Sequence, residues 1–84
     1  HPNPFNPTTV IRYEVAGAGH VAVKIFDVSG ALVKVVEDRD REPGRYEVSW
    51  NGRNERGEQV SSGVYFYVLE TPGTRQTKKM VCVK

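Results

Sequence analysis

Residues 44–70, GRYEVSWNGRNERGEQVSSGVYFYVLE, decide how this chain folds. Tyr46, Val48 and Trp50 alternate with Arg45, Glu47 and Ser49, the period-two signature of a strand with one buried face. Asn51-Gly52 follows as a strong turn signal, Gly57 marks a second turn, and Ser61-Ser62-Gly63 resets the chain. Val60 reads as a short edge strand between them. Residues 64–69 are uncharged and apolar on both faces, so this run is expected to lie centrally, covered from both sides. Its phase follows from its ends. Val64, Phe66 and Val68 share a face with Ser62 and Glu70, which places Tyr65, Tyr67 and Leu69 in the core.

Working outward, residues 8–15 form a first strand with Ile11, Tyr13 and Val15 inward and Arg12 and Glu14 outward. After a small-residue turn at 16–19, residues 20–28 form a second strand. There Val21, Val23 and Ile25 face in, opposite His20, Ala22, Lys24 and Phe26. Asp27-Val28-Ser29-Gly30 is a tight turn with Gly30 as the φ > 0 position. A third strand spans 32–36, and residues 37–43 read as a charged, mobile loop ending at a Pro43-Gly44 turn. Thr71-Pro72-Gly73 leads into a last strand over 75–83, with Met80 and Cys82 inward. Upstream, Pro2, Pro4 and Pro7 make residues 1–7 an extended entry segment that cannot pair fully within a sheet, anchored by Phe5.

Six or seven short strands with eight glycines and five prolines as punctuation, in 84 residues, describe one all-β domain. The rhythm is that of an immunoglobulin-like or fibronectin-like antiparallel sandwich, with Trp50 as its core tryptophan. A net charge of +2 is too small to imply nucleic acid, and no apolar run approaches a membrane span. Cys82 is the only cysteine, so no intrachain disulfide forms, and its apolar strand suggests a small buried hydrophobe. The chain starts without Met and carries no signal peptide, as expected of a piece of a longer protein whose export signal lies upstream.

Candidate chemistry is sparse. Asn51, Asn54, Glu55 and Glu58 lack the spacing of a helix-loop-helix calcium loop. His1 and His20 have no second His or Cys at ligand spacing, and both are expected at the surface. No serine sits in a nucleophile elbow or beside a base, so no catalytic, metal or cofactor site is assigned. An outward Val64, Phe66 and Val68 would leave an apolar patch for the chain itself or a partner to cover, allowing weak self-association.

Five stretches carry a resemblance: Pro2-Asn3-Pro4-Phe5-Asn6-Pro7-Thr8-Thr9, residues 21–30, Trp50-Asn51-Gly52, Ser62-Gly63-Val64-Tyr65-Phe66-Tyr67, and Lys78-Lys79-Met80-Val81. Together they resemble the C-terminal type A sorting domains of the type IX secretion system and the related immunoglobulin-like domain of the flagellar hook-capping protein. The resemblance implies a non-catalytic C-terminal domain appended to a catalytic or adhesive parent. It would be recognised by an outer-membrane translocon, processed by a sortase-like protease, and reach the cell surface or medium through the periplasm. Lys78, Lys79, Met80, Val81, Cys82, Val83 and Lys84 would be the part read. Pro2 to Pro7, Gly30, Trp50, Gly52, Gly63, Tyr65 and Tyr67 would carry the scaffold. The alternative is an accessory module of an extracellular hydrolase that supplies stability or contacts to protein or polymer.

Overall fold

In the computed structural model, residues 8–83 are described. Six strands follow in order: β1 Thr9–Val15, β2 Gly19–Asp27, β3 Leu32–Arg41, β4 Gly44–Trp50, β5 Gly63–Thr71 and β6 Thr74–Cys82. All pairings are antiparallel. β1 and β4 form a two-stranded sheet, and the other sheet has the order β3-β2-β5-β6. The expected all-β, immunoglobulin-like sandwich is thus what the chain adopts. Pro2, Asn3, Pro4, Phe5, Asn6, Pro7 and Lys84 lie outside the described residues.

The alternation read from the sequence fixes the inner faces. Ile11, Tyr13 and Val15 from β1 and Trp50 from β4 meet Val21, Val23 and Ile25 from β2, with Tyr65 and Leu69 from β5 and Cys82 from β6. Val21, Val23 and Ile25 are fully buried and Trp50 is 1 % exposed. The indole N–H of Trp50 donates to the Arg53 carbonyl at 2.9 Å, and its ring meets Tyr65 edge-on at 5.4 Å. Tyr65 in turn donates its hydroxyl to the Ser61 carbonyl at 2.7 Å. Both rings therefore bury their apolar bodies while their polar ends pin the start and the end of the 51–62 excursion.

The tight turn after β2 closes as expected. Gly30 has φ +87° and donates its N–H to the Asp27 carbonyl at 3.0 Å. The Asp27 carboxylate accepts from Ser29 Oγ at 2.6 Å and from the Ser29 and Ala31 amides. These donors, led by the Ser29 hydroxyl, hold the Asp27 carboxyl below its usual range.

Four expectations need correction. Residues 37–41 are not a loop but the continuation of β3, paired from Val23↔Glu37 to Gly19↔Arg41. The charges that suggested solvation are in part turned inward: Glu37 accepts from Tyr13 Oη at 3.0 Å and from Arg41 Nη2 at 2.7 Å, and Arg41 lies over the Tyr46 ring. Val60 is not in a strand; its amide bonds the Gly52 carbonyl, inside an excursion whose one bridge is Arg53↔Gln59. Val68 points away from the core yet is 6 % exposed, as is Ala22 at 5 %. Their neighbours across the sheet are long: Lys24 lies beside Val68, Glu70 beside Ala22, and the Lys24 ammonium reaches the Glu70 carboxylate. Tyr67, finally, is only half-buried, packed against the core at its margin.

Candidate recognition face at β6

The two sheets differ in width, and the difference decides where the molecule is open. β4 sits nearest β3, so the narrow sheet leaves the inner face of β6 uncovered. Thr74, Gln76 and Lys78 have the inward phase, opposite Thr71, Leu69 and Tyr67, yet all three are exposed. They border an open cleft of about 680 Å³ whose other wall is built by Arg12, Tyr46 and Glu47. Only toward the strand's end does cover return: Met80 is half-buried and Cys82 is 3 % exposed. Met80 and Cys82 thus point inward as expected.

On the opposite face, Lys79 stands beside Phe66, and Val81 beside Val64. Val81 is 60 % exposed and Val64 36 %, whereas Val68 is buried. The outward apolar patch expected of Val64, Phe66 and Val68 is therefore smaller than the alternation implied. Phe26, paired with Phe66, joins it, and a shallow hollow of about 290 Å³ lies among Phe26, Phe66, Val68 and Thr77. Val83 lies just past β6 and is exposed.

β6 carries Arg75, Lys78 and Lys79 and no acid. Arg75 pairs with Glu70 at 3.5 Å. Neither the Lys78 nor the Lys79 side chain makes an ion pair or hydrogen bond among the described residues. Several cations elsewhere are matched: Arg12 with Glu47, Arg45 with Glu14, Lys34 with Glu55. β6 thus carries two adjacent lysines, Lys78 and Lys79, with no acid on the strand. Lys78 and Lys79 are among the positions that the resemblance singles out, and the cleft beside Lys78 is not legible in the sequence because strand order is not a local property.

The calcium alternative finds its oxygens in use. Asn51 Oδ1 accepts from the Arg53 amide, and Asn54 Oδ1 from the Arg56 and Glu58 amides. Glu55 accepts from the Val35 amide at 2.8 Å, and Glu58 from the Asn54 side chain. These groups shape the excursion and dock it on β3. His20 is at the surface, as expected. Its Nε2 lies 2.5 Å from Asp38 and its Nδ1 3.1 Å from Asp40, both on the adjoining strand.

The sequence model of the FlgD Ig-like domain family matches residues 6–74. This chain belongs to that family. Among solved structures, dimeric latent PorU from Porphyromonas gingivalis is similar over 95 % of this chain and 8 % of its own, at 25 % identity and a TM-score of 0.67. FlgD from P. aeruginosa is similar over 89 % of the chain at 18 % identity, with a TM-score of 0.70. FlgD from Xanthomonas campestris, whose hook capping is essential for flagellar assembly, is similar over 92 % at 20 % identity, with a TM-score of 0.68. The chain spans 58 % of either FlgD chain, and those two likenesses speak to the fold. No curated protein matches. The FlgD Ig-like family is a non-catalytic module. The family and fold read from the quoted motifs are those found.

Proposed function

We propose that this FlgD-type Ig-like domain is a non-catalytic sorting and anchoring module of an exported bacterial protein, recognised by a type IX translocon through residues 78–84. The observation that carries the reading is the exposed, unpaired pair Lys78 and Lys79 on an edge strand, in the segment that the resemblance marks as the one read. The 25 % identity to PorU over nearly the whole chain supports it. A recognition strand has to be reachable without unfolding the domain, and β6 meets that condition along most of its length. On this reading the module is linked to a catalytic or adhesive parent, passes through the periplasm, and is handed to a sortase-like protease at the outer surface.

A second reading rests on the family match itself: an accessory module that makes structural contacts within an extracellular enzyme or assembly. One assay separates them. The domain is fused to a signal-peptide-bearing fluorescent protein in a bacterium with and without a working type IX translocon. Translocon-dependent export that is lost on deleting residues 78–84 supports sorting. A folded fusion that stays periplasmic in both strains supports the accessory module.

A further inference from the structure

The two edges of the four-stranded sheet are treated differently. β3 is capped: the Glu55 amide donates to the Val33 carbonyl at 3.1 Å, the Glu55 carboxylate accepts from the Val35 amide, and two register shifts break its pairing with β2. All three devices keep a strand edge from recruiting another chain. β6 has none of them. Its register with β5 runs unbroken over nine pairs, from Gly63↔Cys82 to Thr71↔Thr74, and among the described residues no strand lies on its far side. In an antiparallel strand every second N–H and C=O points away from the partner. β6 therefore presents a straight row of backbone donors and acceptors.

Charge decides what can use that row. A second copy pairing symmetrically about the middle of Thr74–Cys82 would place Lys78 opposite Lys78 on one face and the two Lys79 side chains diagonal to each other on the other, with no acid on the strand to compensate. Lys78 and Lys79 project to opposite faces, one into the cleft beside Gln76 and one over the Phe66 side. A strand that satisfies both must carry two consecutive acidic residues, because neighbouring side chains also alternate. On the outer face, exposed Val81 calls for an apolar residue two positions from the acid that meets Lys79.

We infer that β6 is a strand-addition site for an extended acidic segment of a partner protein, with an acidic pair seated against Lys78 and Lys79. This deepens the reading of β6 as the recognised strand and rests on it for the identity of the partner. The binding itself is tested apart from export.

The probe is a short synthetic peptide of threonine and valine with a central glutamate–aspartate pair, titrated into the 84-residue chain and followed by amide NMR. The expected result is saturable shifts confined to β6 and the strip of β5 beside it. Methylating alternate peptide amides abolishes them. The double variant K78E/K79E weakens binding by about tenfold or more and accepts a peptide with a central lysine pair instead. Because both lysines are exposed, the variant keeps the wild-type Trp50 fluorescence. Three results would overturn the inference: no saturable shift, which leaves the lysines as edge protection only; binding that survives amide methylation; or the β6 amides that point away from β5 already protected from exchange in the free chain. Export failing while the peptide binds would sink the sorting reading and leave the strand-addition site standing.

Discussion

Replacing Trp50 by alanine tests the packing directly. A fully buried tryptophan removes about 150–250 Å² from water, worth roughly 4–6 kcal/mol as an upper bound at about 25 cal/mol/Å². Partial collapse of the cavity returns some of this, and large-to-small aromatic substitutions in cores cost about 3–5 kcal/mol. Here the substitution also strands the Arg53 carbonyl and removes the edge-on partner of Tyr65. A domain of this length has about 4–12 kcal/mol in total. At a urea m-value of about 1 kcal/mol/M the midpoint falls by about 3–5 M, and a parent at the low end of that stability range leaves Trp50→Ala unfolded in plain buffer. The readouts are far-UV circular dichroism and tyrosine emission, since the only tryptophan is gone. Trp50→Phe serves as a graded companion: it keeps a ring against Tyr65 and loses the indole donor, at about 1–3 kcal/mol. A Trp50→Ala protein with a midpoint within about 0.5 M of the parent would refute the idea that this ring joins the two sheets.

Three further outcomes follow from particular contacts. Glu37→Ala should lower the melting midpoint clearly, because the carboxylate is the shared acceptor of Tyr13 and Arg41, whereas Glu47→Ala, which breaks only the exposed pair with Arg12, should leave the midpoint unchanged in thermal melts. His20 should titrate above its ordinary 6.5, raised first by the Asp38 hydrogen bond and then by Asp40. A raised folded pKa makes its stabilisation complete below 6.5 and lost as pH rises through the folded value; Asp38→Asn should bring the NMR titration midpoint back down. At Gly19, a Cβ would come 2.6 Å from Pro72 Cγ, so Gly19→Ala should push the β5–β6 turn outward and speed amide exchange at Thr71 and Thr74.

The parts that could be read from the sequence are those where one face of a strand meets water. β1, β2 and β4 alternate because a two-layer sandwich solvates their outer faces, and Ile11, Tyr13, Val15, Val21, Val23, Ile25 and Trp50 fall inward without exception. Alternation misleads where a side chain's neighbours lie far off in sequence. Glu37 and Arg41 read as loop charges because their partners Tyr13 and Tyr46 are supplied by the opposite sheet. Val68 and Ala22 read as exposed because the stems that cover them belong to residues on adjacent strands. In both cases the hydrophobic pattern reports which way a side chain points, while burial depends on what stands across from it.

The same distinction explains why the open edge at β6 is invisible to local reasoning. β3 and β6 both carry charge, and composition alone makes the run EDRDR at 37–41 look the more exposed of the two. Strand order reverses this. The 51–62 excursion folds back onto β3 through Glu55, and the narrow β1–β4 sheet lies toward the same side, so Glu37 meets Tyr13, Lys34 meets Glu55, and Asp38 and Asp40 meet His20. β6 is left at the far edge, where Lys78 keeps the inward phase without a layer to cover it. A lysine in that position is neither a core residue nor an ordinary surface residue. It stands at the mouth of the sandwich beside an unused row of backbone groups, the arrangement a partner strand needs for both affinity and register.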